Sequence, residues 1–182
     1  MKITKIVLLA SAFTSSIALA ALPLKVPSGQ GSVSFLAVGR PSMLKIHGEA
    51  KGPVTDLKLE NNQLRGTVEI EIEKFQTGIT LRDQHMKEKY LQAKEFPRAR
   101  LSITEAAVDG DFTKSLNLTG EKPFRGKLSL HGKEQDVVGT FQVKEGLVQA
   151  KFPISLQDYS IEVPKYLGIT VANTVDVSAE FP

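Results

Sequence analysis

The 182-residue sequence contains no cysteine and no tryptophan, and it has only three histidines and three tyrosines. Without cysteine, the chain forms neither a disulfide nor a thiolate metal site. His47, His85 and His131 are widely spaced and form no H-x-H or H-E-x-x-H motif, so a catalytic zinc site is not indicated. A nucleophile elbow of the G-x-S-x-G type and a phosphate-binding glycine loop are also missing from the sequence. We therefore expect no metal and no cofactor.

The charge is nearly balanced, with 23 Lys and Arg against 20 Asp and Glu. Lys2 and Lys5 precede an apolar run over 6–13, and an Ala-Leu-Ala tripeptide follows at 18–20, which is typical of a secretory signal peptide cleaved after Ala20. Loss of the two leading lysines would leave 21 basic and 20 acidic residues, a net charge of +1. No clustered basic face indicates a nucleic-acid partner. We expect an exported, periplasmic or secreted protein whose residues 21–182 form one domain without stable membrane insertion.

The dominant hydrophobic period is two residues, as in a strand with one dry face and one wet face. In "TVEIEIE", for example, Val68, Ile70 and Ile72 alternate with glutamates. Segments 148–157 and 174–181 alternate in the same way. Further strands are predicted at 32–39, 43–50, 54–60, 99–108, 112–119, 124–131 and 136–144, and the turn signals between them include Gly48, Gly52-Pro53, Asn61-Asn62, Gly132 and Glu145-Gly146.

Antiparallel strands with single apolar faces either stack as a sandwich or close into a barrel. The predicted strands are long, which favours a tilted barrel wall. We predict an all-β fold consisting of a single antiparallel β-barrel of about eight strands. A barrel of this size is either filled by side chains or encloses one elongated ligand, and composition does not choose between these states.

One stretch departs from the two-residue period, "TGITLRDQHMKEKY" over 77–90. Thr80 and Asp83 resemble a capping box, and Pro97 lies beyond the segment, so we predict one short helix near 80–93. Met86 and Tyr90 are spaced i,i+4 and are expected to face the barrel.

Arg82, Asp83 and His85 within this helix are interpreted as a structural latch that fixes the helix at the barrel rim. Asp83 and His85 are two residues apart and therefore point to different sides of a helix, which disfavours a catalytic relay between them. An enzyme that uses these three residues remains an alternative, as does an eight-stranded outer-membrane barrel. Against the membrane barrel stand the lack of tryptophan, the three tyrosines available for two aromatic girdles, and the glutamate-bearing strand.

Three ordered segments resemble the YceI-like polyisoprenoid-binding family of bacterial proteins. They are "TGITLRDQHMKEKYLQAKEFPRARL", "FRGKLSLHGKEQDVVGTFQV" and "YSIEVPKYLGITVANTVDVSAEF", and the resemblance runs from about Ser32 to Phe181. It implies an extended lipocalin-like barrel, exported to the periplasm, without established catalytic residues. Where the commoner pattern has a serine and two phenylalanines after R-D-x-H-L-K, this chain has Glu88, Tyr90 and Leu91.

The resemblance also implies a ligand, a long amphiphilic lipid such as a polyisoprenoid or an isoprenoid quinone held in the lumen. We expect the protein to be a monomer or a homodimer. The predicted function is carriage or binding rather than catalysis. Apolar strand faces and the helix supply the candidate lumen residues. These are Phe35, Val68, Ile70, Ile72, Met86, Tyr90, Phe124, Phe141, Phe152, Ile154 and Leu156.

Overall fold

The computed structural model describes residues 22–24, 29–41, 43–109, 118–166 and 168–182, with the backbone alone for 22–24 and Tyr166. The predicted signal peptide, residues 1–20, and residues 112–117 of a predicted strand lie outside these residues. Among the residues described, no helix is both long and apolar enough to cross a lipid bilayer.

Twelve strands of the described residues form one antiparallel sheet. The strands are β1 (Leu22–Leu24), β2 (Ser32–Arg40), β3 (Leu44–Lys51), β4 (Val54–Glu60), β5 (Gln63–Glu71), β6 (Arg98–Ala106), β7 (Lys122–Leu130), β8 (Lys133–Lys144), β9 (Leu147–Ser155), β10 (Lys165–Tyr166), β11 (Ile169–Val171) and β12 (Thr174–Phe181). The helical segments are α1 (Thr80–His85), a π-helical turn (Met86–Tyr90), and two 3-10 turns (Ile72–Lys74 and Leu156–Tyr159).

The sheet is a curled meander. Strands β4 to β9 pair in chain order, β12 lies beside β9, β2 beside β12, and β3 beside β2. In the described residues no ladder joins β3 to β4, so the sheet forms a half-barrel that is open along this line. Nine strands are seven residues or longer, and the others are short additions at the edges. The prediction of an all-β antiparallel barrel fold with one short helix is confirmed.

Three of the hairpins turn on residue pairs with positive φ angles. Asn61-Asn62 has φ angles of 50° and 58°, His131-Gly132 of 50° and 69°, and Glu145-Gly146 of 53° and 78°. Two consecutive positive values match the type I′ turn, whose twist suits that of the flanking strands. The prediction of a turn at Gly48 is wrong, because Gly48 lies within β3 opposite Phe35, and the ring of Phe35 covers it where a side chain would stand.

The short helix is also more irregular than predicted. The Leu91 N–H donates to the Met86 carbonyl at 2.8 Å, five residues back, which defines the π-helical turn. Gln92 then adopts a φ of 46°, so the helix ends near Tyr90 instead of at 93. The predicted capping box is absent, since Ile79 occupies the N-cap and Thr80 is the first helical residue. Such π-helical turns occur frequently at functional sites.

The interior of the half-barrel is filled at one end, which we call the packed end. Phe124 meets Phe141 and Phe152 edge-to-face, with ring centroids 6.5 Å and 5.8 Å apart. A Cβ at Gly139 would come within 2.7 Å of a ring atom of Phe124 and of the Cβ of Phe152, so the Phe124 ring packs directly onto the backbone of β8. The packed end also contains buried apolar side chains from the same ends of the strands, Leu57, Leu64, Ala106, Val143, Val148 and Phe181.

Candidate functional site

The opposite half of the barrel, next to the helix, encloses a cavity of about 890 Å³. The walls of this cavity are apolar side chains that point inward from β2, β5, β6, β7, β9 and β12. Phe152 forms part of the wall and also contacts Phe124, so it marks the boundary between the cavity and the packed end. The apolar faces of the strands therefore form a packed core at one end of the half-barrel and the wall of the cavity at the other.

Nine of the eleven candidate lumen residues line this cavity. They are Phe35, Val68, Ile70, Ile72, Met86, Tyr90, Phe152, Ile154 and Leu156. Ile72 and Leu156 do so from the 3-10 turns that follow β5 and β9, not from the strands as predicted. Phe124 and Phe141 do not line the cavity, because they pack against each other in the packed end.

Further residues line the cavity that were not among the candidate lumen residues. Most lie on the apolar faces of their strands, and extending the alternation to every strand would have found them. They include Val33, Ala37, Leu101, Leu128, Val175, Val177 and Ala179. Phe75, Ile161 and Val171 also line the cavity. Phe75 and Ile161 lie in connecting segments, and Val171 ends the three-residue strand β11, where no periodic signal exists.

The cavity opens to solvent between the β2–β3 turn and the start of α1. Leu44, Ile79 and Leu81 line it and are nevertheless 44%, 53% and 55% exposed. We call the opening framed by these three residues the mouth. A cluster of exposed apolar side chains often marks a site at which a partner or a ligand binds. An apolar molecule could enter here and remain in contact with apolar side chains along its whole path.

Arg82 and Asp83 both bind Thr77, the residue at which the chain approaches α1. The Thr77 N–H donates to Asp83 Oδ1 at 2.7 Å, and the Thr77 hydroxyl donates to the same oxygen. Arg82 donates from Nε to Thr77 Oγ1 and from Nη2 to the Thr77 carbonyl, each at 2.7 Å. The contact is therefore local, between the helix and the segment before it, and not between the helix and neighbouring strands.

This segment is in turn attached to the sheet edge. Gln76 and Glu49 exchange two backbone hydrogen bonds of 2.9 Å, which joins the residue before Thr77 to β3. The side chains of Arg82 and Asp83 thus hold the helix to the barrel through one intermediate segment, beside the mouth.

His85 does not take part in this contact. Its side chain is exposed and lines the cavity, and no hydrogen bond to it is found among the described residues. His85 is therefore not part of the contact that Arg82 and Asp83 make, although the predicted latch included it. Asp83 and His85 have no common partner. Within the described part of the chain, no three potential metal-ligating side chains of His, Asp or Glu lie together.

The histidine that does connect segments is His131. Its Nδ1 lies 2.9 Å from the Tyr159 carbonyl oxygen, and its Nε2 lies 2.9 Å from Gln92 Oε1. Its ring also meets Phe96 edge-on, with centroids 4.7 Å apart. The predicted strand 124–131 included His131, whereas the structure places this residue in the β7–β8 turn, where it joins the end of the helix to the 3-10 turn after β9.

Tyr159 is the most deeply buried tyrosine of the described residues, at 1% exposure. Burial, as the main cause, and the nearby Asp158 carboxylate, as a smaller one, raise the pKa of Tyr159 to about 12. Its hydroxyl finds no hydrogen-bond partner among the described residues. Tyr159 does not line the cavity, so its role is in packing.

Comparison with known proteins identifies the fold and the family. A model of the YceI-like domain matches residues 27–182. No curated protein matches the chain in sequence. The crystal structure of Burkholderia cenocepacia BcnA is similar to this chain, with a TM-score of 0.67 and 19% identity over 83% of this chain and 94% of BcnA.

Two further solved structures share the fold. A polyisoprenoid binding domain from Saccharophagus degradans gives a TM-score of 0.59 and 14% identity, covering 86% of this chain and 94% of that one. The Campylobacter jejuni YCEI protein gives a TM-score of 0.50 and 15% identity, covering 74% of this chain and 84% of that one. At these identities the likeness establishes the fold, and the resemblance read from the sequence motifs is confirmed by the family match.

Proposed function

Because this chain belongs to the YceI-like domain family, we propose that it is a binding protein that holds the apolar tail of a long amphiphilic lipid in the barrel cavity. A polyisoprenoid and an isoprenoid quinone are both lipids of this class. The similarity in fold to the polyisoprenoid binding domain from Saccharophagus degradans supports the proposal.

The observation that carries the proposal is the hollow, apolar half of the barrel. Its volume of about 890 Å³ lies in the range of about 300–1,000 Å³ that ligand pockets commonly have. The wall of β12 runs from Val175 to Ala179, and a rise of about 3.4 Å per residue makes it about 14 Å long. A flexible hydrocarbon chain suits a narrow space of this kind.

The physical driving force is the removal of apolar surface from water. Burial contributes about 25 cal/mol per Å² of apolar surface, from which the cost of ordering the chain is subtracted. Met86 lies at the edge of this space, and the flexible methionine side chain adapts to ligands of irregular shape. Affinity should therefore rise with tail length until the cavity is full.

Binding is favoured over catalysis by the state of the polar residues near the mouth. Arg82 and Asp83 are both engaged with Thr77, and His85 shares no hydrogen bond with either of them among the described residues. A general base must lie within hydrogen-bond reach of the group that it activates. Among the described residues the Asp83 carboxylate reaches only Thr77, which Arg82 also binds, and His85 reaches no hydroxyl group.

Export from the cytoplasm is a second part of the proposal. It rests on Lys2, Lys5 and the apolar run that follows them, and it assigns the ligand-binding domain to residues 21–182. The intact mass of the protein recovered after secretion or from the periplasm tests it. A mature form that begins at Ala21 is expected, and a retained Met1 would contradict export by cleavage.

The experiment that tests lipid binding is a tail-length series of prenyl alcohols, with dissociation constants measured by displacement of a fluorescent fatty probe. We expect affinity to increase from a two-unit to a four-unit tail and then to level off. Mass spectrometry of lipid extracted from the gently purified protein complements it. The absence of binding at every length would show that the hollow is not a lipid site.

A further inference from the structure

The charged side chains that line the cavity are all basic. They are Arg82, Lys89 and Lys165, and His85 lies among them. Within the described residues no aspartate or glutamate belongs to the lining. Because the whole chain carries nearly equal numbers of both signs, a lining with only basic charges is a local feature and does not follow from the overall composition.

These groups stand at the solvent edge of the cavity and not in its depth. Lys89, Lys165 and His85 are exposed although they line it, and Arg82 is half-buried beside Leu81 of the mouth. A lipid whose tail lies along β12 and β9 would therefore present its polar head to these cations. The deep wall, formed by Val33, Phe152 and Ala179, is apolar.

Much of this positive charge remains available to a ligand. The side chains of Lys165 and His85 have no ion pair or hydrogen bond among the described residues. Lys89 pairs with Glu162 at 3.8 Å, but the two side chains are 56% and 69% exposed, and such a pair is weak and exchanges readily with solvent. Arg82 donates from Nε and Nη2 to Thr77, which holds the guanidinium in one orientation and leaves Nη1 without a hydrogen bond to any described residue.

We propose that the mouth recognises an anionic headgroup, a phosphate or a carboxylate, on the lipid whose tail occupies the cavity. The inference rests on the proposed lipid-binding function and adds the class of headgroup to it. Ammonium and guanidinium groups bind carboxylate and phosphate oxygens by charge-assisted hydrogen bonds. A neutral alcohol or quinone head gains no such interaction, so it should bind through its tail alone.

The test compares three ligands with the same three-unit prenyl tail, namely farnesol, farnesoic acid and farnesyl monophosphate. We expect the two anions to bind on the order of tenfold more tightly than farnesol at low salt, as ion pairs with the exposed Lys89 and Lys165 and the half-buried Arg82 would allow. The gap should narrow as salt is raised, since exposed charges are screened over about 10 Å at 0.1 M. Preference for the phosphate alone would assign a phosphate head, and preference for the carboxylate alone would assign a fatty-acid-like head.

The variant Lys89→Gln/Lys165→Gln should close most of the gap between the anions and farnesol. Lys151→Gln is the matched control, because Lys151 is an exposed lysine on β9 that does not line the cavity; it should leave the gap unchanged. Equal binding of all three ligands by the wild type at low salt would overturn the headgroup inference and leave lipid binding standing. Failure of all three to bind, farnesol included, would overturn the proposed function itself.

Discussion

Val177 is the position at which the depth of the cavity can be changed with the least harm to the fold. It lines the cavity, pairs with Phe152 on β9 and with Phe35 on β2, and lies between Val175 towards the mouth and Ala179 towards the packed end. In Val177→Phe a ring would project into the hollow from the middle of one wall. Unlike Phe152, Val177 has no role in the aromatic cluster of the packed end.

The expected loss of binding free energy follows from the size of the cavity and the position of the new ring. A benzene ring fits an engineered cavity of about 150 Å³, so the new ring fills at most roughly a sixth of the 890 Å³. Its position matters more than its volume, because it separates the deep part of the cavity from the mouth. Burial of one methylene is worth about 0.8 kcal/mol, so excluding one five-carbon isoprene unit forfeits up to about 4 kcal/mol before ordering costs, and we expect about 1–3 kcal/mol.

The assay is the prenyl alcohol series, repeated with wild type, Val177→Phe and Thr174→Phe. We expect Val177→Phe to bind two-unit tails nearly as well as wild type and four-unit tails about ten- to a hundredfold more weakly, by the conversion of about 1.4 kcal/mol per tenfold. Thr174→Phe adds a ring on the same strand at an exposed position that does not line the cavity, and should have little effect. The reasoning is refuted if short and long tails weaken equally in Val177→Phe, or if the control behaves in the same way.

Two predictions concern stability. Asp83→Ala should lower the free energy of unfolding by about 1–3 kcal/mol, because it leaves the Thr77 N–H and hydroxyl without their acceptor. Urea denaturation measures this loss, with Gln84→Ala, a substitution of an exposed neighbour, as the control. Equal losses in the two variants would contradict the role of Asp83. The pKa of Tyr159 is about 12 in the folded protein against about 10 in an unfolded chain. As pH rises, the unfolded state therefore loses the hydroxyl proton first, and the free energy of unfolding should fall between about pH 10 and pH 12. The fall should approach about 1.4 kcal/mol per pH unit and be absent in Tyr159→Phe, and an identical slope in the two proteins would show that Tyr159 does not cause it.

The sequence by itself determined the local features of the fold. Alternation predicts correctly that Val68, Ile70, Ile154 and Phe152 point inward, because side chains on a strand change face at each residue whatever the strand pairs with. The turns at Asn61-Asn62 and Glu145-Gly146 are equally local, since they depend on which residues accept a positive φ.

Only the tertiary structure decided which part of the interior is hollow. Phe124 and Phe152 have the same apolar pattern in sequence, yet Phe124 fills the packed end and Phe152 lines the cavity. The difference depends on which side chains meet across strands that are not consecutive in the chain, such as Phe124 on β7 and Phe152 on β9, and periodicity contains no information about such contacts. The basic edge of the mouth likewise arises because α1 and β10 come together in space, so that Arg82 and Lys165, more than eighty residues apart in sequence, face one opening.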